Sequence, residues 1–117
     1  MDLSVEKYRD DFEIVRLTAE QLIKDFQIFG ITIHFSGDPL RAYQELLEQI
    51  TPVFRELYKN QPATFQGLLY RIDINEKRYR QLSTEDNFIS RLAEEVIQRE
   101  FQKVLLRKYF SKGDKNG

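Results

Sequence analysis

The sequence predicts an all-α protein, a bundle of about five helices with a long antiparallel hairpin of helices one and two and a short extended segment at 31–35. Three observations lead there. Val5, Tyr8, Phe12, Val15, Ala19, Leu22, Phe26 and Phe29 follow one another at spacings of three and four. Leu40, Tyr43, Leu47, Ile50, Phe54 and Leu57 repeat the pattern after a Gly-bounded connector. Two such seams are what antiparallel helices need to pack knobs into holes. Finally, only one segment of the chain alternates apolar and polar residues with the period of a strand.

Helix one is expected from about Ser4 to Phe29. Ser4 can cap it, and Leu3 can staple onto Tyr8. Thr18-Ala19-Glu20-Gln21 is a second capping box, flanked by Leu17 and Leu22 as a staple, so a break near Thr18 is an alternative. The unbroken heptad phase favours continuity. Ile14, Ile23 and Ile28 lie off the narrow seam, so the helix buries more than one edge.

Gly30 ends this helix and Gly37 closes the connector. Between them, Ile31-Thr32-Ile33-His34-Phe35 alternates as a strand would, yet no other segment offers it a partner. A lone strand leaves backbone groups unpaired. It is read as an extended loop laid on the helices, or as an edge that pairs with its own copy in a dimer; the loop is preferred.

Asp38-Pro39 opens helix two, with aspartate at the cap and proline at the first helical position. The helix should run to about Lys59, bent or broken by Pro52, which removes one ladder donor. Pro62 starts a third, short helix with Phe65, Leu68, Leu69 and Ile72 as its apolar face. Asp73-Ile74-Asn75 is a turn, and Asn75 caps a brief fourth helix over 76–82. Ser83 or Thr84 starts the fifth, with Glu85 and Asp86 in its first turn. It runs to about Phe110 and buries Ile89, Leu92, Ala93, Val96, Ile97, Phe101, Val104 and Leu105. Residues 1–111 read as one domain and 112–117 as a disordered polar tail.

The 117 residues suit a single core. Apolar residues make up 41% and charged residues 32%, with a mean hydropathy of −0.55. Nine phenylalanines and six tyrosines are too many for a disordered chain. No apolar run approaches the roughly 18 residues of a membrane span, and the acidic N-terminus lacks the basic and apolar regions of a signal peptide. A cytoplasmic protein without a membrane partner is expected. Cysteine is absent, which excludes disulfides, thiolate metal sites and thiol nucleophiles.

The single histidine, His34, cannot make a triad or a histidine-rich metal site by itself. No Glu-x-x-His pair exists for a di-iron bundle. The pairs Asp10-Asp11 and Glu94-Glu95 are helix neighbours that diverge by about 100° and read as solvated faces. Glu95 and Arg99 are spaced for a pair along the helix. No catalytic residue, cofactor or metal is implied, and the protein is expected not to be an enzyme.

Glu100 stands apart. It shares a bearing with Ala93, Val96 and Val104, so it falls inside the stripe that should be buried. A carboxylate there must be paired, and a bridge to Arg71 or Arg78 that fixes helix register is the expected form. An unfamiliar carboxylate site around Glu100 is the enzymatic reading of the same residue.

The densest polar stretch spans 70–80. Its interleaved arginines and tyrosines are residue types favoured at protein interfaces, and Tyr70, Arg71, Asp73, Arg78 and Tyr79 are the expected contacts. The function read from this is a non-enzymatic interaction module, with another protein or a second copy of itself as partner. The charge distribution supplies the alternative. Residues 1–60 carry 11 acids and 7 bases, and residues 61–117 carry 8 acids and 11 bases. A nucleic-acid accessory protein would use Lys77, Arg78, Arg80, Arg99, Lys103, Arg107 and Lys108.

The stretches Leu68-Leu69-Tyr70-Arg71-Ile72-Asp73-Ile74 and Glu94-Glu95-Val96-Ile97-Gln98-Arg99-Glu100-Phe101-Gln102-Lys103-Val104 resemble small helical bacterial proteins of unknown function. The resemblance covers the C-terminal half. It implies a bacterial, cytosolic origin and no activity.

Overall fold

A computed structural model describes residues 11–116, with side chains through Tyr109. The described residues form five helices and no strand: α1 (Phe12–Ile28), α2 (Ala42–Asn60), α3 (Pro62–Ile72), α4 (Glu76–Leu82) and α5 (Phe88–Asn116). The helices make one bundle with α5 at its centre, packed against each of the other four.

The Ser4 cap, the Leu3–Tyr8 staple and the first two seam positions lie outside the described residues. Asp11, read from sequence as part of a solvated face, caps α1: its Oδ1 accepts from the Ile14 N–H at 3.3 Å. The helix passes Thr18 without a break. The Thr18 hydroxyl donates back to the Ile14 carbonyl at 2.8 Å, so it is not free to cap forward. The buried stripe is Ile14, Thr18, Ala19, Leu22, Asp25 and Phe26, while the seam residue Phe12 is half exposed. Two neighbours cause this. Ala19, Leu22 and Phe26 belong to the main core, whereas Ile14 packs with Phe101, Val104 and Leu105 of α5. Among the described residues the N-terminal end of α1 lies against α5, and the edge facing α5 is the one covered.

The predicted hairpin seam is correspondingly corrected. α1 packs far more extensively on α5 than on α2. Gln21 faces Arg107 while Asp25 faces Lys103, so α1 and α5 run in opposite senses. The connector lies along the first turns of α2, and α1 meets α2 further on, where Phe26 stacks on Phe54. His34 lies at Gln49 and Ser36 at Glu45, so the connector runs back along those turns.

That connector answers the problem of the lone strand. The Gln49 side chain accepts from the His34 N–H at 2.8 Å and donates to the His34 carbonyl at 2.7 Å. One amide thus offers the donor and the acceptor that a neighbouring strand would offer. Glu45 accepts from the Ser36 N–H and hydroxyl, and the Ser36 bonds hold its carboxyl below the ordinary range. Ile33 is buried beneath this clamp and the His34 side chain points outward. Gln49→Ala should cost about 1 kcal/mol and release the His34 amide to exchange. Unchanged His34 protection in a hydrogen-exchange experiment would contradict the clamp.

Asp38 caps a turn rather than a helix. Leu40 N–H donates to Asp38 Oδ1 and Arg41 N–H to the Asp38 carbonyl, and α2 begins only at Ala42. Leu40 is therefore 77% exposed, and the α2 stripe is Ala42, Leu46, Ile50, Phe54 and Leu57. Pro52 sits on the exposed side of an unbroken helix, where water can reach the carbonyl it leaves unpaired.

Only Gln61 separates α2 from α3, and Pro62 opens α3 as predicted. Asp73 ends α3 in the left-handed region (φ 68°), a conformation that aspartate tolerates better than most side chains. Asn75 caps α4 by accepting from the Arg78 N–H at 3.0 Å. The predicted start of α5 is corrected from Ser83 or Thr84 to Phe88. Both hydroxyls donate backward, to the Arg80 and Gln81 carbonyls at the end of α4, so neither caps the next helix. The helix expected to end at about Phe110 is described through Asn116. Nothing over 112–116 forces a stop: the segment contains no proline, and a single Gly113 only weakens a helix.

Aromatic rings tie the core together. Phe26 stacks on Phe54 (centroids 6.0 Å apart), and Phe54 meets the edge of Phe65 at 5.3 Å. Tyr58 joins Phe65 to Phe88, and Tyr79 of α4 closes on Phe88.

Candidate functional site

The most concentrated chemistry lies where α1, α3 and α5 meet. Asp25 (1% exposed) comes from α1 and Glu100 (0% exposed) from α5. Each rides on an apolar stripe that packing must bury, so the fold carries both carboxyl groups inside. Gly67 allows the third helix in: a Cβ on Gly67 would lie 2.9 Å from the ring of Phe29, the residue that ends α1. One turn further along α3, Arg71 reaches Asp25.

Arg71 Nε donates to Asp25 Oδ1 at 3.1 Å, and Gln21 Nε2 donates to the same oxygen at 3.1 Å. Lys103 Nζ stands 2.5 Å from Glu100 Oε1 and 3.9 Å from Asp25 Oδ2. Arg107 Nη2 donates to Gln21 Oε1 at 3.2 Å and holds that amide in place. Asp25 Oδ2 and Glu100 Oε2 are buried with no hydrogen-bond partner, while Glu100 Oε1 has the Lys103 ammonium against it.

The two carboxyl groups are driven apart electrostatically. Burial pushes Asp25 up, but the adjoining Glu100 carboxyl, Arg71, Lys103 and Gln21 outweigh it and hold Asp25 below the ordinary range. Burial, reinforced by Asp25, pushes Glu100 up to about 8 against the pull of Lys103. A groove of about 310 Å³ runs beside the cluster between α1 and α5, with Leu17 and Val104 among its walls. Gln21 and Arg107 line it, whereas Asp25 and Glu100 do not. The carboxyl pair is sealed from that opening.

Glu100 thus lies where its bearing placed it, with different partners from those expected. Arg71 goes to Asp25, and Arg78 pairs with Glu95 at 2.9 Å. The expected Glu95–Arg99 pair is replaced too. Arg99 turns to Asp73, donating to its carbonyl at 3.1 Å and to Oδ2 at 2.8 Å. Asp25 escaped the sequence reading, although its signal was present: three residues after Leu22 and one before Phe26, it sits inside the apolar face.

The five expected contact residues do not form one open patch. Arg71, Asp73 and Arg78 are held by Asp25, Arg99 and Glu95, and Tyr79 packs edge-on against Phe88. Tyr70 is the most exposed of the five, at 88%, and among the described residues has no ion pair to hold it, whereas the exposed side chains of Arg71 and Asp73 are tied to Asp25 and Arg99. The basic set is engaged in the same way. Arg78, Arg80, Arg99 and Lys103 each meet a carboxylate and Arg107 meets Gln21, leaving Lys77 and Lys108 without a partner among the described residues. Among the described residues no group of acids and histidines could hold a metal ion, and no helix is long and apolar enough to cross a membrane.

Comparison with protein-family models, with curated proteins and with solved structures finds no match to this chain.

Proposed function

We propose that the chain is a non-enzymatic protein-interaction module with Tyr70 as the anchor of its contact surface. The observation that supports this is the setting of Tyr70. A large aromatic side chain projects almost wholly into solvent from the last turn of α3, and its flanking backbone is held rigid. Arg71 ties that turn inward to Asp25, and Arg99 grips the Asp73 carbonyl and carboxylate directly after it. A preorganised tyrosine loses little entropy when a partner covers it, which is why such residues become interface hot spots. The carboxyl pair serves structure in this reading, since it is closed to the neighbouring groove.

Charge reversal at Arg71 or Arg78 would break internal ion pairs, so Tyr70→Ala is the cleaner probe. Tagged wild-type protein and the variant are each exposed to lysate of the source organism with and without nuclease, with sedimentation reporting self-association. Tyr70→Ala should weaken capture of the principal partner by roughly 30-fold or more with an unchanged helical circular dichroism spectrum. Equal recovery by both proteins would end the assignment, and partners lost on nuclease treatment would shift it to nucleic acid.

A further inference from the structure

We propose that Asp25 and Glu100 hold one proton between them, and that this shared proton fastens α1 to α5. The two carboxyl groups come from different helices, and both are buried. Of their four oxygens, Asp25 Oδ1 receives N–H bonds from Arg71 and Gln21, and Glu100 Oε1 faces the Lys103 ammonium. Were both groups ionised, two buried acceptors, Asp25 Oδ2 and Glu100 Oε2, would go unmet and two negative charges would adjoin. Each unmet buried acceptor is costly, and so is the repulsion. A proton on Glu100 removes both penalties, because the acid then donates to Asp25 Oδ2 and uses an oxygen of each side chain.

The surrounding charges decide which group keeps the proton. From α3, Arg71 donates to Asp25. From α5, Lys103 reaches Glu100 and, at longer range, Asp25; Arg107 is held on Gln21 of α1. α2 buries an apolar stripe of Ala42, Leu46, Ile50, Phe54 and Leu57, and Arg78 of α4 is turned to Glu95. Arg71 and the Gln21 amide therefore favour ionised Asp25, while burial favours neutral Glu100 and outweighs the pull of Lys103 on it. The pair joins α1 to α5 across the most extensive helix contact in the molecule. Alkaline conditions remove the proton, set two carboxylates face to face and loosen α1. The pair is a pH-sensitive latch.

Carboxyl-carbon NMR on wild-type protein labelled in its glutamate side chains tests this without a variant. Glu100 Cδ, assigned through its own methylene carbons, should keep its protonated shift at neutral pH and titrate on the alkaline side. The other glutamates should titrate near the ordinary value of about 4.3. Titration of Glu100 together with them would overturn the proposal. Hydrogen exchange gives a second readout. Corrected for intrinsic base catalysis, α1 amides around Asp25 should lose at least about tenfold protection between about pH 7 and pH 9 in wild type. They should lose little in Glu100→Gln. Equal loss in both proteins would show that the proton does not fasten the helix.

Discussion

Phe54→Ala is expected to cost roughly 3–5 kcal/mol, the range for deleting a fully buried phenylalanine. The ring has no solvent exposure and touches both flanking layers, stacked on Phe26 of α1 and edge-on to Phe65 of α3. Truncation leaves a cavity that α1 and α3 cannot both close, because the Arg71–Asp25 bond and the contact of Phe29 with Gly67 fix their separation. A domain of this size holds only about 5–15 kcal/mol in total, so the variant should lose roughly 10–25 °C in Tm. Tyr58→Ala provides the scale. Tyr58 is half exposed, with edge contacts to Phe65 and Phe88, and should cost only about 1–2 kcal/mol. Calorimetry of both variants decides the matter: a Phe54→Ala loss no larger than that of Tyr58→Ala would mean that the rings around Phe54 are not the centre of the core.

The all-helical class was legible because heptad spacing reports helical period directly. The identity of each helix's neighbour was not. Leu40, Tyr43 and Phe12 have the spacing of a seam, yet Leu40 is largely exposed and the other two about half exposed. Spacing describes a stripe on one helix and says nothing of where the partner helix stops. Start signals were ambiguous for a related reason. Ser83 and Thr84 have side chains that serve a preceding helix end or a following start, and only the position of the α4 carbonyls selects between them. The 31–35 segment had the right conformation and lacked a partner only because a side chain, Gln49, supplies it from α2.

The polar cluster was half legible. Glu100 was visible as a charge on an apolar bearing. Asp25 has the same signature, but it lies in a helix whose other seam residues form an unbroken list. The partners lie far from it in sequence, at Arg71, Glu100 and Lys103, and no local spacing pairs them. The same long range dispersed the expected contact patch, since Arg71 and Arg78 are turned to Asp25 and Glu95, acids distant in sequence.

Glu100→Gln should abolish a descending limb in the stability–pH profile. In the folded chain Glu100 titrates at about 8, whereas in the unfolded chain it titrates at roughly 4.3. Between these values the folded state binds the extra proton, so wild-type stability falls as pH rises, by up to about 1.4 kcal/mol per pH unit. Above the upper value both states are ionised and this dependence flattens. Asp25 acts with the opposite sign. Its folded value is lowered, so its contribution is present above the ordinary aspartate range and is lost as pH falls through the folded value. Wild type should therefore be most stable in mildly acidic solution, with Asp25 shaping the acid side and Glu100 the neutral side. Glutamine matches neutral glutamic acid in size, keeps a donor for Asp25 Oδ2 and cannot ionise. The variant should lose the neutral limb, keep the acid one, and exceed wild type by a few kcal/mol, on the order of the integrated linkage, at pH 8 and above. Urea midpoints across the pH range measure the difference directly, since all other titrating groups are common to both proteins. A limb of equal slope in Glu100→Gln would assign the pH dependence elsewhere and leave the Asp25–Glu100 pair as an ordinary ionised cluster.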